Sequence, residues 1–253
     1  MKIFPILILC LLILISCDQR SSSDVISHNA NPHAEGFNLS ESDAQAITIA
    51  DEVMMAMGGR NAWDNMGPVQ WTFFGRRTHT WDKMNQRVHI DIPGQELQYD
   101  LNIEDMTGMV SRSGVIYEDV DSINHYLQQA KNMWINDSYW LFMPFKLKDS
   151  GVRLTYAGQD TTLLGEQSNL LALTFSDVGV TPQNKYIVYV DEEMSLVRQW
   201  DFYTNATDSL PRFKSPWPNY QAYEDLLLSG GAINGNNAIS DIKIGEELRS
   251  VFR

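Results

Sequence analysis

Arg87-Val88-His89-Ile90-Asp91-Ile92 and Leu97-Gln98-Tyr99-Asp100-Leu101-Asn102-Ile103 flank a Pro93-Gly94 turn, and in both runs large apolar residues recur at every second position. A period of two sends successive side chains to opposite faces of a strand, so this pair buries one face and solvates the other. The same alternation extends outward to residues 69–73, 79–81, 106–111 and 115–117, with turn signals at 82–85, 105–108 and 113–114. Strand-like segments resume at 152–156, 161–164, 170–175, 185–190 and 196–203, and the Asp191–Met194 turn separates the last two. Residues 220–228 and 239–244 add two more around the Gly/Asn-rich loop 230–237.

Two stretches have the helical period instead. Ser40, with Asp43 three residues on, marks a helix start, and Ala44, Ile47, Ala50, Val53, Met54 and Met57 recur at helical spacing until Gly58-Gly59. One further turn is expected over 61–66. The second helix places Ile123, Tyr126, Leu127, Ala130, Met133 and Trp134 on one face, with Asp121 or Ser122 as cap. Together these elements predict a mainly β (α+β) fold: an open antiparallel half-barrel of about ten strands with helices packed on the concave side. A sandwich is the alternative architecture.

Met1-Lys2, an apolar run over 3–15 and Leu14-Ile15-Ser16-Cys17 form the start of the chain. The run is shorter than the ~20 apolar residues a spanning helix needs and reads as the core of a secretory signal. Leu-Ile-Ser-Cys resembles the bacterial lipobox, which implies cleavage before Cys17 and acylation of that residue, with palmitate as a typical chain. The expected organisation is a signal peptide over 1–16, the lipidated Cys17 and a disordered polar tether over 17–39, and one β-rich domain over 40–253. A flexible tether of that length reaches ~25–30 Å. His28 and His33 fall in it as solvated residues. The protein is thus expected to be membrane-anchored by lipid and extracytoplasmic, on the periplasmic face of the inner or outer membrane or on the cell surface.

Nineteen Lys and Arg stand against 32 Asp and Glu, a formal net charge of −13. So acidic a chain excludes nucleic acid as a partner and disfavours lying flat on anionic headgroups. Only Cys10 and Cys17 occur. The first leaves with the signal and the second takes lipid, so neither a disulfide nor a thiolate metal site is available. There is no Gly-x-Ser-x-Gly, no His-Glu-x-x-His and no phosphate-binding Gly loop, so no catalytic residue and no cofactor are assigned. The acidic pairs Asp191-Glu192-Glu193 and Glu246-Glu247 read as solvated turns.

Residues 138–151, Ser-Tyr-Trp-Leu-Phe-Met-Pro-Phe-Lys-Leu-Lys-Asp-Ser-Gly, carry large apolar residues from Tyr139 to Met143 without alternation. With Met57-Gly58-Gly59-Arg60-Asn61-Ala62-Trp63 they resemble a family of Bacteroidota lipoproteins that is distantly similar to the LolA/LolB lipoprotein-localisation fold. The resemblance covers roughly residues 40–228. It implies an unclosed antiparallel barrel with helices in its mouth and an apolar cavity able to take acyl chains, and it brings no catalytic residues.

Candidate cavity residues are Trp71, Phe73, Tyr126, Met133, Trp134, Tyr139, Trp140, Phe142 and Phe145. Met adapts its shape, and Trp and Tyr combine an apolar body with a polar tip, a lining suited to variable apolar ligands. Plain core packing accounts for any one of them alone. The run from Tyr139 to Phe145 must be covered on both sides or stand at an entrance, and Pro144 argues against a central strand. Lys146, Lys148 and Asp149 read as its polar rim, and Arg76-Arg77 as an exposed strand end.

A three-residue loop of Lys83, Met84 and Asn85 would set His79 opposite His89, with Cβ atoms ~5 Å apart, near enough to share a metal. No third ligand is evident, so the pair is a weak metal candidate. The leading function is therefore a non-enzymatic, membrane-anchored binding protein for a lipid or a lipoprotein acyl chain. The alternative is an envelope scaffold that docks a protein partner, and a metal-dependent enzyme is a distant third.

Overall fold

The computed structural model describes residues 30–176, 181–231 and 238–252. The signal sequence, Cys17, His28 and most of the 230–237 loop lie outside them. Helix α1 (Ala44–Ala56) and the short α2 (Gly59–Asp64) precede β1 (Val69–Phe73), β2 (Arg77–Asp82), β3 (Arg87–Ile92), β4 (Leu97–Asn102), β5 (Gly108–Arg112) and β6 (Val115–Ile116). The long helix α3 (Val120–Phe142) follows. After it come β7 (Val152–Thr161), β8 (Gln167–Phe175), β9 (Lys185–Asp191), β10 (Val197–Tyr203), β11 (Phe213–Pro216), β12 (Gln221–Tyr223), β13 (Leu226–Leu228) and β14 (Ile239–Ile244).

The fold is α+β with antiparallel sheets and no closed barrel. A seven-stranded curved sheet runs β14-β1-β2-β3-β4-β5-β6, a five-stranded sheet runs β11-β10-β9-β8-β7, and β12 pairs with β13. The alternating runs become the centre of the larger sheet: β3 pairs with β4 through Val88↔Leu101 and Ile90↔Tyr99, and all four side chains are buried. The 14 strands among the described residues exceed the ten or so that the sequence pattern indicates, and they divide among these three sheets. The segment at 152–156 runs on to Thr161 as one strand, β7, with a register shift between Tyr156 and Gln159. Leu163 and Leu164, read as strand, are exposed turn residues.

Helix α3 packs its Leu127, Ala130, Trp134, Asp137 and Leu141 stripe on the inner face of the seven-stranded sheet. Its cap is Asp119, whose carboxylate accepts the Ser122 N–H at 2.8 Å, rather than Asp121 or Ser122. The helix also continues through Ser138–Phe142, the run that shows no alternation in sequence. There the helix passes between the two sheets, and a helix buried on several sides is apolar nearly all round. Leu141, Phe142, Met143 and Phe145 are fully enclosed. Pro144 starts a 3₁₀ turn (Met143–Lys146), where its missing N–H costs nothing.

The two segments that carry the family resemblance meet in space. Trp63 stacks on Phe145 with centroids 4.8 Å apart and meets Phe142 at 5.4 Å. Gly58 sets this corner: its φ is +115°, and a Cβ there would lie 2.1 Å from the Asp225 carbonyl oxygen. Two local expectations change at the other end of the domain. Asp43, not Ser40, caps α1, and its carboxylate accepts from the Tyr156 N–H at 2.8 Å instead of closing a capping box. The tether assigned to 17–39 is docked from Asn31 onward: Asn31 and Phe37 are buried, and Asn31 donates to Asp51 at 2.8 Å. Lys148 is not part of a rim. It is buried and donates to the Asp51 carboxylate and the Asn31 carbonyl, which pins this segment to the domain.

Candidate functional site

Two clefts flank α3. The first, about 400 Å³, opens between the C-terminal half of α3 and the five-stranded sheet. Trp134, Ile135, Tyr139 and Trp140 wall it from the helix, and Phe175, Tyr186 and Trp200 from the sheet. Tyr186 and Trp200 are diagonal neighbours across β9 and β10 and stack at 5.0 Å, with their planes 11° apart. Tyr139 meets Tyr186 at 5.5 Å, and Trp140 meets Trp200 edge to face at 4.7 Å. The rim carries a Lys146–Asp149 ion pair at 2.9 Å together with Asn136 and Asn184. The Tyr139 hydroxyl and the Trp134 indole N–H are buried behind this wall without a protein partner. Burial drives the Tyr139 phenol well above its ordinary range and pushes Tyr186 up to about 12, so both stay protonated donors at neutral pH.

The second cleft, about 480 Å³, lies between α3 and the inner face of the seven-stranded sheet. Ile92, Tyr99 and Met133 contribute apolar surface, and Arg76, Arg77, Gln95, Gln129 and Asn132 contribute donors. Asn132 belongs to both clefts, so the two adjoin along the exposed ridge of the helix.

A buried polar cluster sits between them. Asp137 is fully enclosed and receives Arg77 Nε at 2.5 Å, Arg77 Nη2 at 2.8 Å and Asn136 Nδ2 at 2.8 Å. His79 Nε2 lies 2.7 Å from the same carboxylate, and its ring stacks on Trp71 at 4.9 Å. Burial holds His79 below its usual pKa, against the pull of Asp137. For Asp137, burial alone would raise the pKa, but hydrogen bonds from His79 and Arg77 outweigh it and leave the carboxylate below its usual value. Neutral His79 therefore donates from Nε2, and its Nδ1 has no protein partner.

The proposed cavity residues separate into three groups. Trp134, Tyr139 and Trp140 line the first cleft and Met133 the second. Trp71, Phe142 and Phe145 are solid core, Phe142 lying 5.7 Å from Trp71 and 5.6 Å from Trp81. Phe73 is buried behind Trp140, and Tyr126 packs on Tyr99 and Tyr117, so neither faces the first cleft.

The histidine pair does not form. Asp82 pairs with Arg87, which makes the loop four residues, and the Asp82 carboxylate holds Asn85 through its backbone N–H at 3.2 Å and its side chain at 2.7 Å. The register is then His79↔Ile90 and Thr80↔His89, one residue from the alignment that opposes the imidazoles. His79 points inward, while His89 is on the outer face with Asp100 at 3.0 Å. No cluster of three or more His, Cys, Asp or Glu fit to hold a metal occurs among the described residues. Arg77, read as an exposed strand end, is turned inward as the partner of Asp137, and only Arg76 is exposed. Sequence reasoning also missed Phe175, Tyr186 and Trp200, although Tyr186 stands at an alternating position of its strand.

No family model matches the chain, and no curated protein matches it significantly. Among solved structures, the chain is similar to a DUF1329 family protein from Desulfovibrio piger at 10% identity and a TM-score of 0.45, over 82% of this chain and 97% of that one. It is also similar to a LolA superfamily protein from Nitrosomonas europaea at 11% identity and a TM-score of 0.40, again over 82% and 97%. The fold to which the two sequence segments bear a resemblance is thus among these distant likenesses.

Proposed function

We propose that this protein binds the apolar chain of a lipid or of an acylated protein in the cleft between α3 and the five-stranded sheet, without catalysing a reaction. The observation that carries the reading is the cleft itself: about 400 Å³, walled by aromatic rings, with polar groups at its rim. Pockets that hold small apolar ligands span ~300–1,000 Å³ and combine apolar walls with a few polar groups. Burying an alkyl chain there yields ~25 cal/mol per Å² of apolar surface. Acylation at Cys17 would hold the domain at a membrane surface on the extracytoplasmic side, where such ligands are abundant. Among the described residues no helix is long and apolar enough to cross a membrane.

The test uses residues 18–253, which include every described element. Native mass spectrometry should find co-purified lipid, and a fluorescent fatty acid should bind. Ile135→Trp, which fills the cleft from its helical wall, should abolish uptake while leaving the melting temperature nearly unchanged. Binding that is indifferent to Ile135→Trp would locate the ligand elsewhere, and no binding of any acyl probe would end the reading. A scaffold role has one observation in its favour, the exposed Val115, Ile116 and Val120 beside edge strand β6. Retained partner capture in Ile135→Trp, lost in Ile116→Lys, would favour it.

A further inference from the structure

Resting on that reading, we infer that the two clefts form one bipartite site, in which the second takes the anionic headgroup, carboxylate or phosphate, of the amphiphile whose chain fills the first. The clefts adjoin at Asn132, so a molecule can lie across the ridge of α3 with one end in each. Their linings differ in kind. The first is built on stacked rings, whereas the polar side chains of the second are two arginines, three carboxamides and Tyr99, and no carboxylate is among its lining residues.

In a chain with 32 acidic against 19 basic side chains, a cation without an acidic partner is worth explaining. Arg76 is exposed at the cleft and has no side-chain partner among the described residues. Arg77 gives Nε and Nη2 to Asp137, which leaves Nη1 free on a side chain that is 23% exposed. Arg77 and Asp137 form a close ion pair of no net charge beside the neutral His79, so the pair neither repels nor attracts an anion, and Arg77 offers it a donor, Nη1, rather than a net charge. Asn132 accepts from Gln128 through Oδ1 at 3.1 Å, so its Nδ2 remains to donate. An oxyanion seated there meets the exposed Arg76 guanidinium, the free Nη1 of Arg77 and an amide, and charge-assisted hydrogen bonds of this type are the strong ones. Uncharged headgroups satisfy the amides but do not balance the charge of Arg76.

Three probes with the same dodecyl chain separate the possibilities: dodecanoate, dodecyl phosphate and monododecanoyl glycerol. Isothermal titration of the protein from residue 18 should show both anions binding about tenfold tighter than the neutral probe at low salt, with the advantage shrinking as salt rises. Arg76→Glu should weaken the anions about tenfold and the neutral probe far less. The stronger of the two anions in the parent protein identifies whether a fatty acid or a phospholipid-type head is preferred, and either order supports the inference. Equal affinity for all three probes in the parent, or an equal loss for all three in Arg76→Glu, overturns the headgroup site and leaves the acyl cleft standing. Failure of every probe to bind overturns the acyl cleft and the headgroup site together.

Discussion

Asp137→Ala is the substitution whose cost follows most directly from the structure. The carboxylate has no exposed surface and accepts from Arg77 twice, from Asn136 once and from His79. Removing it leaves a guanidinium and a buried imidazole facing an empty, low-dielectric space. Breaking one partner out of a buried ion pair costs ~3–5 kcal/mol, mostly because the surviving charge is uncompensated. Here the lower end applies, since Arg77 is 23% exposed and can turn toward the water of the second cleft. A loss of about 3 kcal/mol, with a urea slope of ~3 kcal/mol per molar, lowers the unfolding midpoint by ~1 M without changing the slope. The control is the replacement Arg77→Met with His79→Leu and Asp137→Leu, which removes every charge at similar volume. It should lose less than Asp137→Ala, because an apolar substitute for a buried pair is often neutral or stabilising. A loss below ~1 kcal/mol for Asp137→Ala, or a triple variant worse than the single one, would refute the reasoning.

His79, held below its usual pKa by burial, resists a proton in the folded state that the unfolded chain accepts near pH 6.5. The unfolded state then binds more protons as pH drops through that value, so stability should fall on acidification by up to ~1.4 kcal/mol per pH unit until the folded pKa is reached. Urea midpoints should fall more steeply over this window for the parent than for His79→Gln, and parallel curves would contradict it. Phe142→Ala, emptying a site ringed by Trp63, Trp71, Trp81 and Phe145, should cost ~3–5 kcal/mol and show as a lowered melting temperature. Gly58→Ala combines a left-handed φ of +115° with a clash at the Asp225 carbonyl, and thermal unfolding should register a loss of at least ~1–3 kcal/mol.

The parts of the fold legible in sequence are those where one face is dry and the other wet. Val88, Ile90, Leu97, Tyr99 and Leu101 declare their strands because each alternates with a polar neighbour. Helix α3 is legible up to Trp134 for the same reason. Beyond it, both sheets cover the helix and the periodicity vanishes, which is why Ser138–Phe142 reads as neither helix nor strand. The His79–His89 pairing fails for a subtler cause. Register depends on a single loop residue, and the Asp82 side chain, holding Asn85, stabilises a longer turn than the one that brings the imidazoles together. Asp137 is not legible at all, since its partners His79 and Arg77 lie 58 and 60 residues away and nothing local marks them. The aromatic inventory identifies the right helix but not which rings face a space, because core and cleft draw on the same residue types.

The buried polar cluster and the open cleft bear on each other. Protein interiors pack to crystalline density, and apolar walls around a space of this size gain dispersion energy by closing on it. A helix held only by apolar contacts is free to slide or roll until the gap is filled, since such contacts are non-directional. Asp137 prevents that motion. Its hydrogen bonds to Arg77 and His79 have fixed lengths and directions, and they fasten the helix to β2 one position from Ser138 and Asn136, which wall the first cleft. The faces of α3 toward β2 and toward the five-stranded sheet thus differ, one locked by directional polar contacts and the other bordered by aromatic rings that leave a cleft unfilled. Trp140 lies at the boundary, packing edge to face on Phe74 at 5.4 Å and on Trp200 at 4.7 Å while still lining the cleft. The charge buried at Asp137 therefore does more than stabilise: it specifies where the helix comes to rest, and so keeps the cleft beside it open.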